Sequence, residues 1–333
     1  MRFLFIVQGE GRGHLTQALT LEDMLRRNGH EVVEVLVGKS SSRILPGFFN
    51  RNIKAPVKRF LSPNFLPSPD NKRANLKKSL AYNLIHLPEY VRSMCYINQR
   101  IRKTGAEVVI NFYELLTGLT YMFFRPSVPY VCIGHQYLFL HREFEFPEKD
   151  VVQLFMLRLF TRMTSLKAKK RLALSFRKMP EDRENNLVVV PPLLRQEVIA
   201  IRPETGNYIH GYMVNAGFSD SVKAFHSVHP EVPLHFFWDK ADTEEVTRMD
   251  ETLSFHQLDD VKFLNYMAGC RAYASTAGFE SICEAMYLGK PVLMVPAHIE
   301  QDCNAYDAAR AGAGIVGDSF ALESLLRFAG KYI

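Results

Sequence analysis

Residues 273–304 read YASTAGFESICEAMYLGKPVLMVPAHIEQDCN, and this stretch decides the fold. Its apolar start predicts a strand, and the small residues STAG that follow predict a turn. A helix is expected over 279–288, because Gly289 and Pro291 are the usual signals that end one. The apolar run at 292–295 then predicts a buried strand. Strand, turn, helix and strand in this order indicate a parallel α/β sheet.

The turn in this stretch is suited to a bound anion. Small side chains leave the backbone N–H groups at the helix N-terminus accessible, and the helix dipole is positive there. Thr276 and Ser281 add hydroxyl donors, and Glu284 lies where a carboxylate can accept hydrogen bonds from paired ribose hydroxyls. Glu300 and Gln301 follow the next strand, at the edge where α/β sheets bind ligands. From the turn alone, an ordinary helix–strand unit whose glycine only eases packing is the alternative.

The spacing of the stretch resembles the nucleotide-sugar-binding segment of GT-B glycosyltransferases, especially MurG and the plant and animal UDP-glycosyltransferases. The shared positions are Gly278, Ser281, Glu284, Gly289, Pro291, Pro296, Glu300, Gln301, Asn304 and Ala305. The resemblance implies an α/β protein of the GT-B fold, with two Rossmann-like doubly wound domains that face each other across a cleft. It also implies that the diphosphate, ribose and sugar of the donor contact Ser275, Thr276, Ala277, Gly278, Phe279, Ser281, Glu284, Glu300 and Gln301.

A second motif lies near the N-terminus, where a predicted strand over 3–7 is followed by GEGRGH and a helix. The glycine spacing differs from the dinucleotide fingerprint and no acidic residue ends the second strand, so NAD is not expected. The loop resembles the glycine-rich loop of MurG-like enzymes. That resemblance implies that Gly11, Arg12 and Gly13 belong to the acceptor side and that His14 is the catalytic base.

Two later strands, predicted over 108–110 and 129–133, each end in polar and aromatic residues. Carboxyl ends of parallel strands meet at one edge of a sheet, so these residues are candidates for acceptor binding. They are Tyr113, Glu114, His135 and Gln136. His135 and Glu114 are also the alternatives to His14 as the base, although a loop histidine with a purely structural role is nearly as good an interpretation of His135.

The composition describes a globular protein that carries a net charge of +6, which suits an anionic partner. Charge alone does not choose between nucleotides, phospholipid surfaces and nucleic acid. Five scattered cysteines without a CxxC pair predict reduced thiols in a cytosolic protein. The first apolar run is too short for a signal peptide, and no run has the length of a membrane span.

Two basic segments have open interpretations. The segment 51–78 is predicted to be a solvated loop, with a mobile element over an acceptor or membrane surface as the alternative. The segment 151–174 has amphipathic helical spacing. A surface helix that packs on its own domain is favoured for it over a helix that lies on a membrane.

Together these patterns predict an N-terminal acceptor-binding domain over 1–195 and a C-terminal donor-binding domain over 196–333. The resemblance implies an inverting glycosyltransferase that uses a nucleotide-diphosphate sugar, with UDP as the expected nucleotide. The chain has no Asp-x-Asp motif, so no metal is expected, and the donor is a substrate that needs no further cofactor. The expected acceptor is a glycan or lipid-linked glycan of the cell envelope. Cytoplasmic location with peripheral contact at the inner membrane face is expected, and a nucleic-acid partner is not.

Two other functions remain open at this point. A non-hydrolysing UDP-sugar epimerase shares the fold and the diphosphate cleft. A non-catalytic nucleotide-sugar-binding protein is the second alternative, because Glu280 stands where the plant enzymes have Asn. A carboxylate there would repel a diphosphate unless it points away.

Overall fold

The computed structural model describes residues 1–39, 45–63, 82–214, 216–238 and 244–330. The chain forms two compact units, one from nearly all of residues 1–193 and one that contains Leu194–Ile333. No helix in the described part of the chain is both long and apolar enough to span a membrane.

Within the described residues, the first unit contains a sheet of seven parallel strands in the order β3-β2-β1-β4-β5-β6-β7. The strands are β1 Arg2–Gln8, β2 Glu31–Lys39, β3 Val57–Leu61, β4 Val108–Phe112, β5 Tyr130–Gly134, β6 Lys170–Leu174 and β7 Leu187–Val190. The helices are α1 Arg12–Arg27, α2 Gly47–Asn52, α3 Leu87–Lys103, α4 Leu115–Phe124 and α5 Val151–Thr164, and a 3-10 helix covers His135–Leu140. Between Arg2 and Gln8, β1 is apolar and buried because both faces of a parallel sheet are covered.

The described part of the second unit holds a sheet in the order β10-β11-β9-β8-β12-β13-β14, parallel except for β10. Its strands are β8 Ile209–Met213, β9 Leu234–Trp238, β10 Val246–Arg248, β11 Leu253–Gln257, β12 Ala272–Ser275, β13 Val292–Met294 and β14 Gly314–Val316. Its helices are α6 Gln196–Ala200, α7 Ser219–Val228, α8 Asp260–Gly269, α9 Phe279–Tyr287, α10 Ile299–Arg310 and α11 Leu322–Ala329, and a 3-10 helix covers Ala216–Phe218.

The prediction of two doubly wound α/β sheets is confirmed. In each sheet the connections leave two neighbouring strands in opposite directions, β1 and β4 in the first and β8 and β12 in the second. Ligands of open α/β sheets bind beyond the carboxyl ends of the strands at such a switch point. The topology therefore points to the loops after these four strands.

The single helix predicted over 151–174 is wrong in its second half. Helix α5 ends at Thr164, and Lys170–Leu174 forms β6, which pairs with β5 and β7. A mixture of basic and apolar residues fits the periodicity of a helix as well as that of a strand. Residues 170–174 form a strand because they pair with β5 and β7 in the sheet. The basic segment 51–78 contains β3 at Val57–Leu61, while its residues 64–78 lie outside the described part.

Candidate functional site

The glycine-rich loop after β1 is held tightly to the sheet. The backbone N–H of Gly9 donates to the Gly38 carbonyl at 2.7 Å. A Cβ on Gly9 would stand 2.6 Å from Val37 Cγ1, so only glycine fits there. Gly11 is the N-cap of α1, and its N–H donates to Gln8 Oε1 at 3.3 Å. Arg12 lies over the ring of Phe48 at 4.4 Å, and Gly13 follows it in the first turn of the helix.

His14, Tyr113 and Gln136 come together at the switch point of the first unit. The imidazole of His14 stacks on the Tyr113 ring with 5.4 Å between centroids. Its Nε2 lies 3.4 Å from the Gln136 amide nitrogen, and with that nitrogen as donor the Nε2 lone pair is the acceptor. Tyr113 has a left-handed backbone with φ 62°, and its hydroxyl contacts Thr161 Oγ1 at 2.8 Å. Three of the residues predicted for the acceptor side therefore form one cluster.

Glu114 and His135 hold structural positions beside this cluster. Glu114 caps α4 by accepting from the Leu116 N–H at 3.1 Å, and it accepts from the Ser62 hydroxyl at 2.6 Å. Its complete burial raises the pKa of the carboxyl to about 7. His135 is also buried, and its Nδ1 lies 2.7 Å from the Leu174 carbonyl oxygen. These contacts favour His14 as the base over either alternative.

The small-residue turn lies at the switch point of the second unit. Thr276 Oγ1 accepts from the Val214 N–H at 3.2 Å, which ties the turn to the end of β8. Ala277 is buried with φ 60°, a left-handed conformation that is costly for a residue with a Cβ. The Asn304 amide donates to the Ala277 carbonyl at 3.3 Å and so anchors the turn to α10. The strained turn is thus held from two sides.

The N-terminus of α9 borders an open space next to Gly278. Gly278 is the N-cap, and a glycine has no side chain that could cap the helix. Among the described residues, a Cβ on Gly278 would meet only Ser281 Oγ within 4 Å, at 3.7 Å, so these residues leave the space open. The Ser281 hydroxyl donates to the Gly278 carbonyl at 3.2 Å. First-turn amides and the positive dipole end face one point, which is a geometry for an anion.

Glu284 forms a buried ion pair that the sequence analysis did not foresee. Arg195 Nε lies 2.7 Å from Glu284 Oε1, and the Glu284 side chain is 6% exposed. Burial raises the pKa of Glu284, and the charge and hydrogen bond of Arg195 act in the opposite direction. Arg195 stands 89 residues from Glu284 in the chain, and no spacing pattern links two residues so far apart. The pair fixes the carboxylate that is predicted to bind ribose.

The remaining predicted donor residues surround the same turn. Ser275 and Phe279 are buried on either side of it. Gln301 is buried in the first turn of α10, where its Oε1 accepts from the Ala297 N–H at 2.8 Å, and Glu300 precedes it. Among the described residues, no group of three or more His, Cys, Asp or Glu side chains is arranged to hold a metal ion.

The fold and the site define a class: an α/β protein of two doubly wound units, with a small-residue turn before a helix at a switch point. The sequence matches the profile of Glycosyl transferase family 1 over residues 1–329. The chain belongs to this family, and the protein is a glycosyltransferase. A comparison with curated proteins found no match.

Solved glycosyltransferase structures share the GT-B fold of this chain. The glycotransferase of kitacinnamycin has a TM-score of 0.62 at 13% identity and covers 99% of this chain and 90% of its own. LpCGTa in complex with UDP has a TM-score of 0.62 at 14% identity, with 99% and 89% covered. UGT89C1 of Arabidopsis thaliana, complexed with UDP-L-rhamnose, has a TM-score of 0.61 at 13% identity, with 95% and 84% covered. The predicted GT-B fold is therefore confirmed.

Proposed function

We propose that the protein transfers a sugar from a UDP-sugar to an acceptor hydroxyl with inversion at the anomeric carbon. The observation that carries the proposal is the space that the described residues leave open above Gly278, at the N-terminus of α9. Related structures with bound UDP or UDP-L-rhamnose support the choice of nucleotide. In this proposal the second unit binds the donor and the first unit binds the acceptor.

The diphosphate would lie against the turn formed by residues 275–278. Cleavage of the bond between the anomeric carbon and the diphosphate oxygen leaves the bonding electrons on that oxygen. Backbone N–H groups and the α9 dipole stabilise this charge, with the Ser281 hydroxyl beside them. We therefore propose transfer without a metal ion and without a cofactor other than the donor. Glu284 would accept from the ribose hydroxyls, and Glu300 and Gln301 would contact the sugar.

His14 would act as the general base. Its imidazole takes the acceptor proton while the hydroxyl oxygen bonds to the anomeric carbon from the side opposite the diphosphate. An imidazole has an ordinary pKa near neutrality, which suits this task. Stacking on Tyr113 and the contact with Gln136 support the assignment, because they hold the ring in one orientation.

The acceptor is proposed to be a glycan or lipid-linked glycan of the cell envelope, met at the inner face of the membrane. The net charge of +6 suits an anionic acceptor or membrane surface. Within the family, the glycine-rich loop that ends at His14 supports a MurG-like lineage.

The test is incubation with a panel of UDP-sugars in the presence of EDTA, with UDP release and sugar products followed by mass spectrometry. We expect UDP release that an acceptor stimulates and that His14→Ala lowers about 10²–10⁴-fold. A changed sugar without UDP release would support an epimerase instead. No change in any UDP-sugar, despite binding, would support a non-catalytic binding protein.

A further inference from the structure

Two buried hydroxyl groups of β12 lie beneath the small-residue turn of the second unit. Tyr273 and Ser275 are two residues apart on the strand, so their side chains project from the same face of the sheet. Both residues are fully buried. Among the described residues, neither the Tyr273 hydroxyl nor the Ser275 hydroxyl has a hydrogen-bond partner. A buried hydroxyl without a partner costs folding free energy, so these two groups need an explanation.

The ring of Tyr273 is held in place by aromatic packing. It stacks on the imidazole of His210 with 5.2 Å between ring centroids, and it packs edge-to-face against Phe263 at 6.2 Å. His210 belongs to β8 and Phe263 to α8, so the ring is enclosed between the sheet and a helix. The packing of the ring therefore sets the position of the hydroxyl in advance of any hydrogen bond.

The Tyr273 hydroxyl lies beside the first turn of α9. Burial raises the pKa of Tyr273, and the hydroxyls of Ser275 and Ser281 act in the opposite direction, which places both close to it. Ser281 is the third residue of α9, and its hydroxyl donates to the Gly278 carbonyl at 3.2 Å. That carbonyl also accepts from the Ile282 N–H at 3.2 Å, so it keeps a donor when the Ser281 proton leaves it. The Ser281 hydroxyl can therefore be redirected at little cost to the helix.

We propose that Tyr273 is a positioning residue for donor binding, acting through Ser281. In this inference, which rests on the proposed function, Ser281 turns its proton from the Gly278 carbonyl to a phosphate oxygen of the donor. A serine oxygen carries one proton and two lone pairs, so Ser281 Oγ then accepts from the Tyr273 hydroxyl. The Tyr273 oxygen in turn accepts from Ser275.

A chain of hydrogen bonds that ends on a phosphate gives both buried hydroxyls a use. Each donor in such a chain polarises the next, and the last bond, to a charged oxygen, is the strongest. The rigid ring of Tyr273 supplies a donor that needs no rearrangement when the donor substrate arrives. The free energy that the unpartnered hydroxyls cost in the unliganded protein is recovered when the diphosphate binds.

Calorimetric titration of UDP into the full chain tests this inference with Tyr273→Phe, Ser281→Ala and the double variant. Tyr273→Phe keeps the ring and removes only the hydroxyl, and we expect the affinity for UDP to fall about 3–10-fold, the effect of one ordinary hydrogen bond. Ser281→Ala should lower the affinity about 10–100-fold, because its bond is made to a charged phosphate. In the Ser281→Ala background, Tyr273→Phe should change the affinity by less than about two-fold, because Tyr273 acts through Ser281.

Thermal unfolding without ligand supplies a second readout. The Tyr273 hydroxyl has no partner within the described part of the chain, so Tyr273→Phe should leave the Tm unchanged or raise it. The matched control is Tyr208→Phe, which removes a hydroxyl that donates to the Tyr266 carbonyl of α8 at 2.9 Å. The control should lower the Tm by about 2–4 °C and leave the affinity for UDP unchanged.

The outcomes separate this inference from the proposed function. If the wild type binds UDP, unchanged affinity in either single variant overturns the inference alone. An equal loss of affinity from Tyr273→Phe with and without the Ser281 hydroxyl also overturns it, because the effect would not pass through Ser281. A Tm loss for Tyr273→Phe as large as that of Tyr208→Phe would assign the hydroxyl a structural role instead. Absence of UDP binding by the wild type refutes the proposed function, and the inference with it.

Discussion

Replacing Arg195 with Met tests how the buried carboxylate of the donor side is held. Methionine keeps most of the apolar packing and removes the cation that lies 2.7 Å from Glu284. The Glu284 side chain is 6% exposed and that of Arg195 is 20% exposed, so water replaces little of the lost interaction. Removal of one partner from a buried pair typically costs about 3–5 kcal/mol. Since Arg195 is partly exposed, we expect about 3 kcal/mol of destabilisation at neutral pH.

The loss of stability caused by Arg195→Met should depend on pH in a defined direction. Burial raises the pKa of Glu284, and without Arg195 that pKa rises further above its value in the unfolded chain. The folded variant then binds more protons than the unfolded chain, so its stability falls as the pH rises through the folded pKa. We expect a small deficit near pH 5 and the full deficit near pH 8.

Urea unfolding followed by fluorescence and circular dichroism measures the effect for wild type, Arg195→Met and the double variant Arg195→Met with Glu284→Leu. The double variant should recover to within about 1 kcal/mol of wild type, because an apolar pair can replace a buried ion pair. A deficit below about 0.5 kcal/mol for Arg195→Met, or one that does not change with pH, would refute the role given to this pair.

Three further changes test other parts of the account. His14→Ala should lower transfer about 10²–10⁴-fold at unchanged UDP affinity, by a transfer assay and calorimetry; a parallel loss of affinity would assign His14 to the donor. Gly278→Ala should weaken UDP binding, because its Cβ would enter the open space, while stability changes little, since the entropy lost by the unfolded chain opposes the poor N-cap propensity of Ala; unchanged affinity would remove the turn from the site. Burial lowers the pKa of His210 to about 3, so the unfolded chain binds its proton first on acidification. The contribution of His210 to the free energy of unfolding should then fall by about 1.4 kcal/mol per pH unit as the pH falls from about 6 to about 4. A difference in unfolding free energy between wild type and His210→Phe that does not change with pH would contradict this.

The sequence alone predicts strands and turns well where apolar runs are bounded by glycine or proline. The strand expected at 292–295 is observed at Val292–Met294, and α9 ends one residue before its expected end. Strand β6 was missed because basic side chains interrupt its apolar pattern and extend the apparent helix. The sheet supplies the missing information, since β6 fills the gap between β5 and β7.

Some features of the candidate site could be predicted from the sequence and others could not. Local spacing identifies the turn at Gly278 and the loop at His14, because glycine and the helix start are neighbours in sequence. The partner of Glu284 could not be predicted, since long-range pairing depends on the tertiary fold. The exposure of Val151, Val152, Phe155, Met156 and Leu159 on α5 could not be predicted either, because periodicity defines a face and not what that face contacts.

Hydrogen exchange with and without UDP tests the central claim most directly. The first amides of a helix lack intrahelical acceptors, so a diphosphate at the start of α9 would accept hydrogen bonds from them. We predict that saturating UDP slows exchange in peptides that cover residues 276–282. Slowed exchange confined to other segments, with 276–282 unchanged at saturation, would contradict the account.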